Sequence, residues 1–128
     1  MIYYNYRIVN TDFQQTLKRV EEELQKEGFG ILTEIDVKAT LKKKLDVDFK
    51  KYKILGACNP DFAYQALQVE ENIGVMLPCN VIVLEKDGGK IQVSIIDPLA
   101  AMYTVGNPML NKIAEAVSDK LDKVLKQL

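Results

Sequence analysis

Apolar and polar positions change period several times along the first half of the chain. From Ile2 to Val9 they alternate, with Ile2, Tyr4, Tyr6 and Ile8 on one side and Tyr3, Asn5, Arg7 and Val9 on the other. That is the period of a strand. Its tyrosines suit a ligand or partner surface, but such residues are more often the core and rim of an edge strand. Phe13, Leu17, Val20 and Leu24 then recur at helical spacing and draw one apolar stripe. Thr11 with Gln14 reads as the capping box of that helix, and Gly28 stands where its C-terminal cap belongs. Glu21, Glu22, Glu23, Lys26 and Glu27 form a solvated face. Phe29 to Val37 alternates again, with Phe29, Ile31, Ile35 and Val37 on one face. Asp36 to Lys53 is the most polar stretch, with lysines at 38, 42, 43, 44, 50, 51 and 53, and Thr40 to Leu45 suits a short helix. Such a run can meet phosphate or an acidic partner. No aromatic platform for bases accompanies it, so it reads as a solvated connector.

Tyr52 to Cys58 is apolar on both alternating sets, as in a strand covered on two faces. Asn59-Pro60 opens a helix, the asparagine as cap and the proline at the first helical position. Phe62, Ala63, Ala66 and Leu67 continue it until Asn72 to Gly74. Leu77-Pro78-Cys79-Asn80 leads into a second apolar strand. Val81 to Asp97 reads as a hairpin across Asp87-Gly88-Gly89. With Gly88-Gly89 as a two-residue turn, Leu84 faces Val93, Ile82 faces Ile95 and Val81 faces Ile96. The same register sets Asn80 opposite Asp97 and Cys79 beside Pro98, so Cys79, Asn80 and Asp97 cluster at one sheet end. A parallel crossover would hold Cys58 at the other end, whereas an antiparallel return would bring it in; both remain open. Pro98 to Tyr103 is a helical turn or loop exposing Met102 and Tyr103 toward a pocket or interface. Asn107-Pro108 starts a last helix with a seam of Ala114, Val117, Leu121, Val124 and Leu128. Its second face, Leu110, Ile113 and Leu125, is available for a dimer contact.

These elements predict one domain over 1–128, an α+β two-layer sandwich. A mixed sheet of about five strands carries helices on one face in the order β-α-β-β-α-β-β-α. The strands fall at 2–9, 29–37, 52–58, 80–86 and 90–97, and the helices at 11–27, 60–71 and 108–127. Val81, Val83 and Ile96 point to an apolar second face that a second subunit would cover.

Composition narrows the chemistry. The chain is 48% hydrophobic and 27% charged with a net charge of -1, which gives no drive toward nucleic acid or an anionic membrane. No apolar run approaches the roughly 20 residues of a membrane span. The N-terminal stretch lacks a basic start and cleavage site, so a cytoplasmic protein with reduced thiols is expected. The absence of histidine removes triads, Cys-His dyads and imidazole ligands. Neither of the two serines lies in a nucleophile elbow, and there is no glycine-rich phosphate loop. Cys58 and Cys79 lack zinc-ribbon spacing.

Three chemistries remain. A ligand- or partner-binding module would use Asn59, Asn80, Asp97, Met102 and Tyr103, against which stands plain loop capping by Asn80 and Asp97. A thiol redox enzyme would use Cys58, beside a helix N-terminus, as nucleophile and Cys79 as resolving thiol. A soft-metal site for zinc or copper would use both thiolates, completed by Asp97 or a partner subunit. Both cysteines also read as small buried apolar residues.

The run ILGACNP, the A..AL helix and GVMLPCNVIVLE, continued by Ile96-Asp97-Pro98 and Met102, resemble the family catalogued as domain of unknown function 302. The resemblance covers nearly the whole chain. It implies a small α+β domain of bacteria and archaea, commonly a homodimer, and brings no activity with it.

Overall fold

The computed structural model describes residues 2–128. The alternating stretches form β1 (Tyr4–Val9), β2 (Gly30–Asp36), β3 (Tyr52–Cys58), β4 (Cys79–Glu85) and β5 (Ile91–Ile96). They lie side by side as β1-β5-β4-β3-β2, a single five-stranded sheet. Every neighbouring pair is antiparallel, so the expected mixed sheet is corrected. The reason lies between β3 and β4. After α3 (Pro60–Val69), a 3-10 segment (Glu71–Met76) and Leu77-Pro78 carry the chain back to the end it left. Cys79 therefore starts β4 opposite Ala57, near the end of β3.

The helices are α1 (Phe13–Lys26), α2 (Val37–Leu45), α3, α4 (Pro98–Tyr103) and α5 (Pro108–Lys126). The apolar stripes of α1 and α5 pack on one sheet face. Val20 and Leu24 of α1 and Leu121 and Val124 of α5 meet Val81, Val83, Val93 and Ile95 in one core. Val81 and Val83 are fully buried beneath these helices, so they do not line the open face as expected. The cause is the hairpin. Lys86 N–H donates to the Lys90 carbonyl at 2.7 Å across a three-residue turn. Gly88 and Gly89 both take positive φ, near 80° and 78°. The extra residue shifts the pairing by one, giving Val81 opposite Ile95 and Val83 opposite Val93. A one-residue shift changes which side chains share a face. Ile96 alone of the expected trio remains on the open face.

Other local expectations shift for similar reasons. The α1 cap is Asp12, whose carboxylate accepts from the Gln15 N–H at 2.8 Å. Thr11 pairs its hydroxyl with Thr16 instead, at 2.7 Å. The helix ends at Gly28 with φ near 86°. There the Gly28 and Phe29 N–H groups donate to the Gln25 and Leu24 carbonyls at 3.0 and 2.9 Å, a Schellman ending. In β2 the register slips between Ile31 and Thr33. Ile31 therefore packs on the core while Ile35 is 48% exposed, although alternation put them on one face. Strand β2 stops at Asp36, whose carboxylate caps α2 through the Ala39 N–H at 2.9 Å. The lysine-rich stretch is largely solvated: Lys42 reaches Asp46 at 2.8 Å, Lys53 reaches Glu34 at 2.7 Å and Lys38 donates to the Phe49 carbonyl at 2.6 Å. No helix among the described residues is long and apolar enough to cross a membrane.

Candidate ligand pocket at the thiol end of the sheet

The antiparallel return settles where the thiols lie. Cys58 ends β3 and Cys79 begins β4, one pairing step apart on adjacent strands. Both are free and half-buried. The Cys79 thiol is pushed up from 9.0 to about 11, first by burial and then by the neighbouring Cys58. Burial disfavours the thiolate, and a second thiolate nearby disfavours it further.

Cys79 packs against the main core. Met102, carried by α4, sits only 9% exposed in a second, smaller cluster with Ala66, Ile73, Leu110 and Ala114. The two cores do not fully close on each other. Between them lies a cavity of about 50 Å³ whose walls include Cys58, Cys79, Met102, Phe62, Ile113 and Ala114. Small side chains leave this space: Ala63 and Ala66 on α3, and Ala114 on α5, also line it. The walls are almost entirely apolar. Asn59 is the exception, at the mouth.

Asn59 does not cap α3 as expected. Its side-chain amide is turned toward the end of α1 and donates to the Glu27 carbonyl at 3.3 Å. That contact needs a glycine beneath it, because a β-carbon at Gly28 would lie 3.0 Å from the Asn59 amide nitrogen. The N-terminal turn of α3 thus lacks a side-chain acceptor from its cap residue and keeps its partial positive charge beside Cys58.

The polar residues singled out from sequence are dispersed. Asp97 caps α4, accepting from the Leu99 N–H at 3.0 Å; its neighbour Pro98 lines the cavity and Asp97 does not. Asn80 is exposed on the opposite sheet face, in a separate groove of about 420 Å³ with Tyr4, Tyr52, Ile82, Gln92 and Ser94. Tyr103 is 75% exposed. The structure therefore brings Cys58, Cys79, Asn59 and Met102 to one pocket and leaves Asn80, Asp97 and Tyr103 outside it. The one-residue hairpin shift accounts for much of this: with Val81 opposite Ile95, Asp97 is carried past Asn80. The sequence alone places Ala63, Ala66 and Ala114 on apolar helix faces but does not mark their small size as leaving a space. Small residues on otherwise apolar helix faces were the only signal.

Among the described residues, no group of three or more histidine, cysteine, aspartate or glutamate side chains is placed to hold a metal ion. Methionine stands outside that donor set.

The sheet face away from α1 and α5 is only partly covered. Tyr6 and Ile8 of β1 are 59% and 40% exposed there, with Ile35 of β2 at the far edge. Ile54, Ile82 and Ile96 lie between them, half-buried.

A family model described as "Domain of unknown function DUF302" matches residues 5–128. Among solved structures, the chain is similar to an uncharacterized conserved protein DUF302 from Bacillus stearothermophilus, with 29% identity and a TM-score of 0.93. That match covers 99% of this chain and 98% of the other. No curated protein matches.

Proposed function

The chain belongs to the DUF302 family, and from that premise we propose that it is a binding module whose ligand inserts a small apolar or soft group between the ends of β3 and β4 and helices α3, α4 and α5. The observation that carries this reading is the apolar cavity of about 50 Å³ left between two otherwise well-filled cores. Close-packed interiors hold few voids larger than a water molecule, so this one stands out. An apolar pocket with one polar group at its mouth matches the usual build of small-molecule sites. In this reading Asn59 orients a polar head while the apolar part goes inward.

The module works as a homodimer in the same reading, with the open sheet face as the contact. Tyr6, Ile8 and Ile35 at its two edges and the half-buried isoleucines between them support a second copy there. The raised Cys79 thiol speaks against thiol exchange as the primary activity, because a resolving thiol needs thiolate character near neutral pH.

Titration with butan-1-ol, followed by backbone amide NMR, tests the pocket. Saturable shifts confined to the ends of β3 and β4 and the facing turns of α3 and α5 are expected. Shifts that never saturate, or that scatter over the exposed apolar side chains, would overturn the reading.

A further inference from the structure

The lysine-rich stretch carries a charge that the rest of the chain lacks. Residues 36–53 hold seven lysines against three aspartates. Ten of the 17 basic side chains and 15 of the 18 acidic ones lie elsewhere, so a basic lobe sits on an otherwise acidic protein. Asp46, at the C-terminal cap of α2, takes positive φ near 52° and turns the chain back along the helix. Lys38 Nζ donates to the Phe49 carbonyl at 2.6 Å and ties the returning segment, Val47 to Lys50, to α2. Between the two lies a groove of about 370 Å³, with Ala39, Val47 and Phe49 as its apolar walls. We propose that this groove docks an acidic peptide with one apolar anchor residue, at a site that shares no wall with the pocket between the two cores.

Charge complementarity selects the occupant. Lys42 and Lys53 already meet carboxylates, those of Asp46 and Asp48 and that of Glu34. Lys38, in the groove wall, meets only the neutral Phe49 carbonyl. No carboxylate among the described residues pairs with Lys38, Lys43 or Lys50. Lys43 stands one turn beyond Ala39 on α2, and the Lys50 ammonium lies 5.9 Å from the centre of the Phe49 ring. The two acids that line the groove are committed: Asp36 caps α2 through the Ala39 N–H, and Asp48 lies 3.7 Å from Lys42. Val47 and Phe49 are 43% and 37% exposed, which leaves apolar surface for an inserted side chain. The main chain is available as well. Among the described residues, no N–H from Val47 to Lys50 donates a hydrogen bond. An extended peptide laid alongside would accept from these donors while its carboxylates meet the lysines. Nucleic acid fits less well, because Phe49 is the one aromatic ring in the groove and bases need a stacking platform. A flat bilayer cannot follow a concave apolar floor.

The test is a fluorescence-anisotropy titration of the full chain with a fluorescein-labelled glutamate heptapeptide that has one central phenylalanine. Saturable binding is expected, weakening as salt is raised. Affinity should fall about 10-fold when Lys38→Gln, Lys43→Gln and Lys50→Gln are combined, because exposed ion pairs are individually weak. It should fall about 10-fold again when glycine replaces the phenylalanine of the probe. Val47→Asp, at a half-exposed surface position that the fold tolerates, should lose at least as much as the lysine variant. No saturable binding, equal affinity for the glycine probe, or undiminished binding by Val47→Asp would overturn the proposal. Tighter binding of oligothymidylate or of phosphatidylserine vesicles would also overturn it, by making the lobe a general polyanion surface. A dimer that Val47→Asp converts to monomer would give the groove to a second copy and overturn it likewise.

Discussion

Filling the cavity should stabilise the protein slightly while closing the pocket. Ala114 is the position of choice: it is 3% exposed, lies on α5 and lines the space. Ala114→Val adds two methyl groups to that wall. At roughly 24 cal/mol per Å³, eliminating about 50 Å³ of void recovers about 1.2 kcal/mol. Valine in place of alanine costs about 0.6 kcal/mol in a helix, because its branched carbon loses rotamer freedom. A net gain of about 0.6 kcal/mol is expected, seen as a small rise in the urea midpoint at unchanged slope. The same variant should lose saturable butan-1-ol binding. Opposite signs for stability and binding mark a functional void, whereas a packing defect has no binding to lose. A loss of more than about 1 kcal/mol would show that the site is already filled, since overpacking costs roughly 1–3 kcal/mol. The reasoning from the cavity would then be refuted.

Three other outcomes follow from the same geometry. Gly28→Ala should cost roughly 1–2 kcal/mol in chemical denaturation, since φ near 86° is strained for alanine and the new methyl meets the Asn59 amide; a change under about 0.3 kcal/mol would contradict it. Burial favours the neutral Cys79 thiol, so its contribution to stability is intact below pH 9.0 and disappears as pH rises through about 11. The urea midpoint of the wild type should therefore drop more steeply over that window than that of Cys79→Ala, and parallel pH curves would be the contrary result. Tyr6→Lys combined with Ile35→Lys places charge at both edges of the open face. Sedimentation should change from dimer to monomer, and a wild type already monomeric at micromolar concentration would remove the dimer reading.

Periodicity carried most of the architecture. The stripe Phe13, Leu17, Val20, Leu24 became the inner face of α1, and the seam Ala114, Val117, Leu121, Val124 became that of α5. These stripes are long, and each residue adds to the same signal. Features that depend on a single residue were not legible. Whether Asp87-Gly88-Gly89 turns on two residues or three is not written in composition, yet it decided which face holds Val81. The slip at Leu32 likewise separated Ile31 from Ile35. The orientation of β4 depended on how Glu71 to Pro78 folds back, and a short apolar stretch fits an extended or a 3-10 path equally. The union of Cys58 with Cys79 followed from that one undetermined turn. The pocket itself is a property of what is missing between two cores, and alanines at 63, 66 and 114 announce it only once their neighbours are known.

The most direct test of the pocket uses the methionine methyl groups as reporters. The chain has four methionines. Met102 lines the cavity and is 9% exposed, while Met109 is 65% exposed on the outside of α5. With methyl-labelled methionine, butan-1-ol should move the Met102 signal along a saturable curve and leave Met109 in place. An unmoved Met102 signal, or equal unsaturated drift of both, would mean that nothing enters between α3, α4 and α5 and would contradict the account.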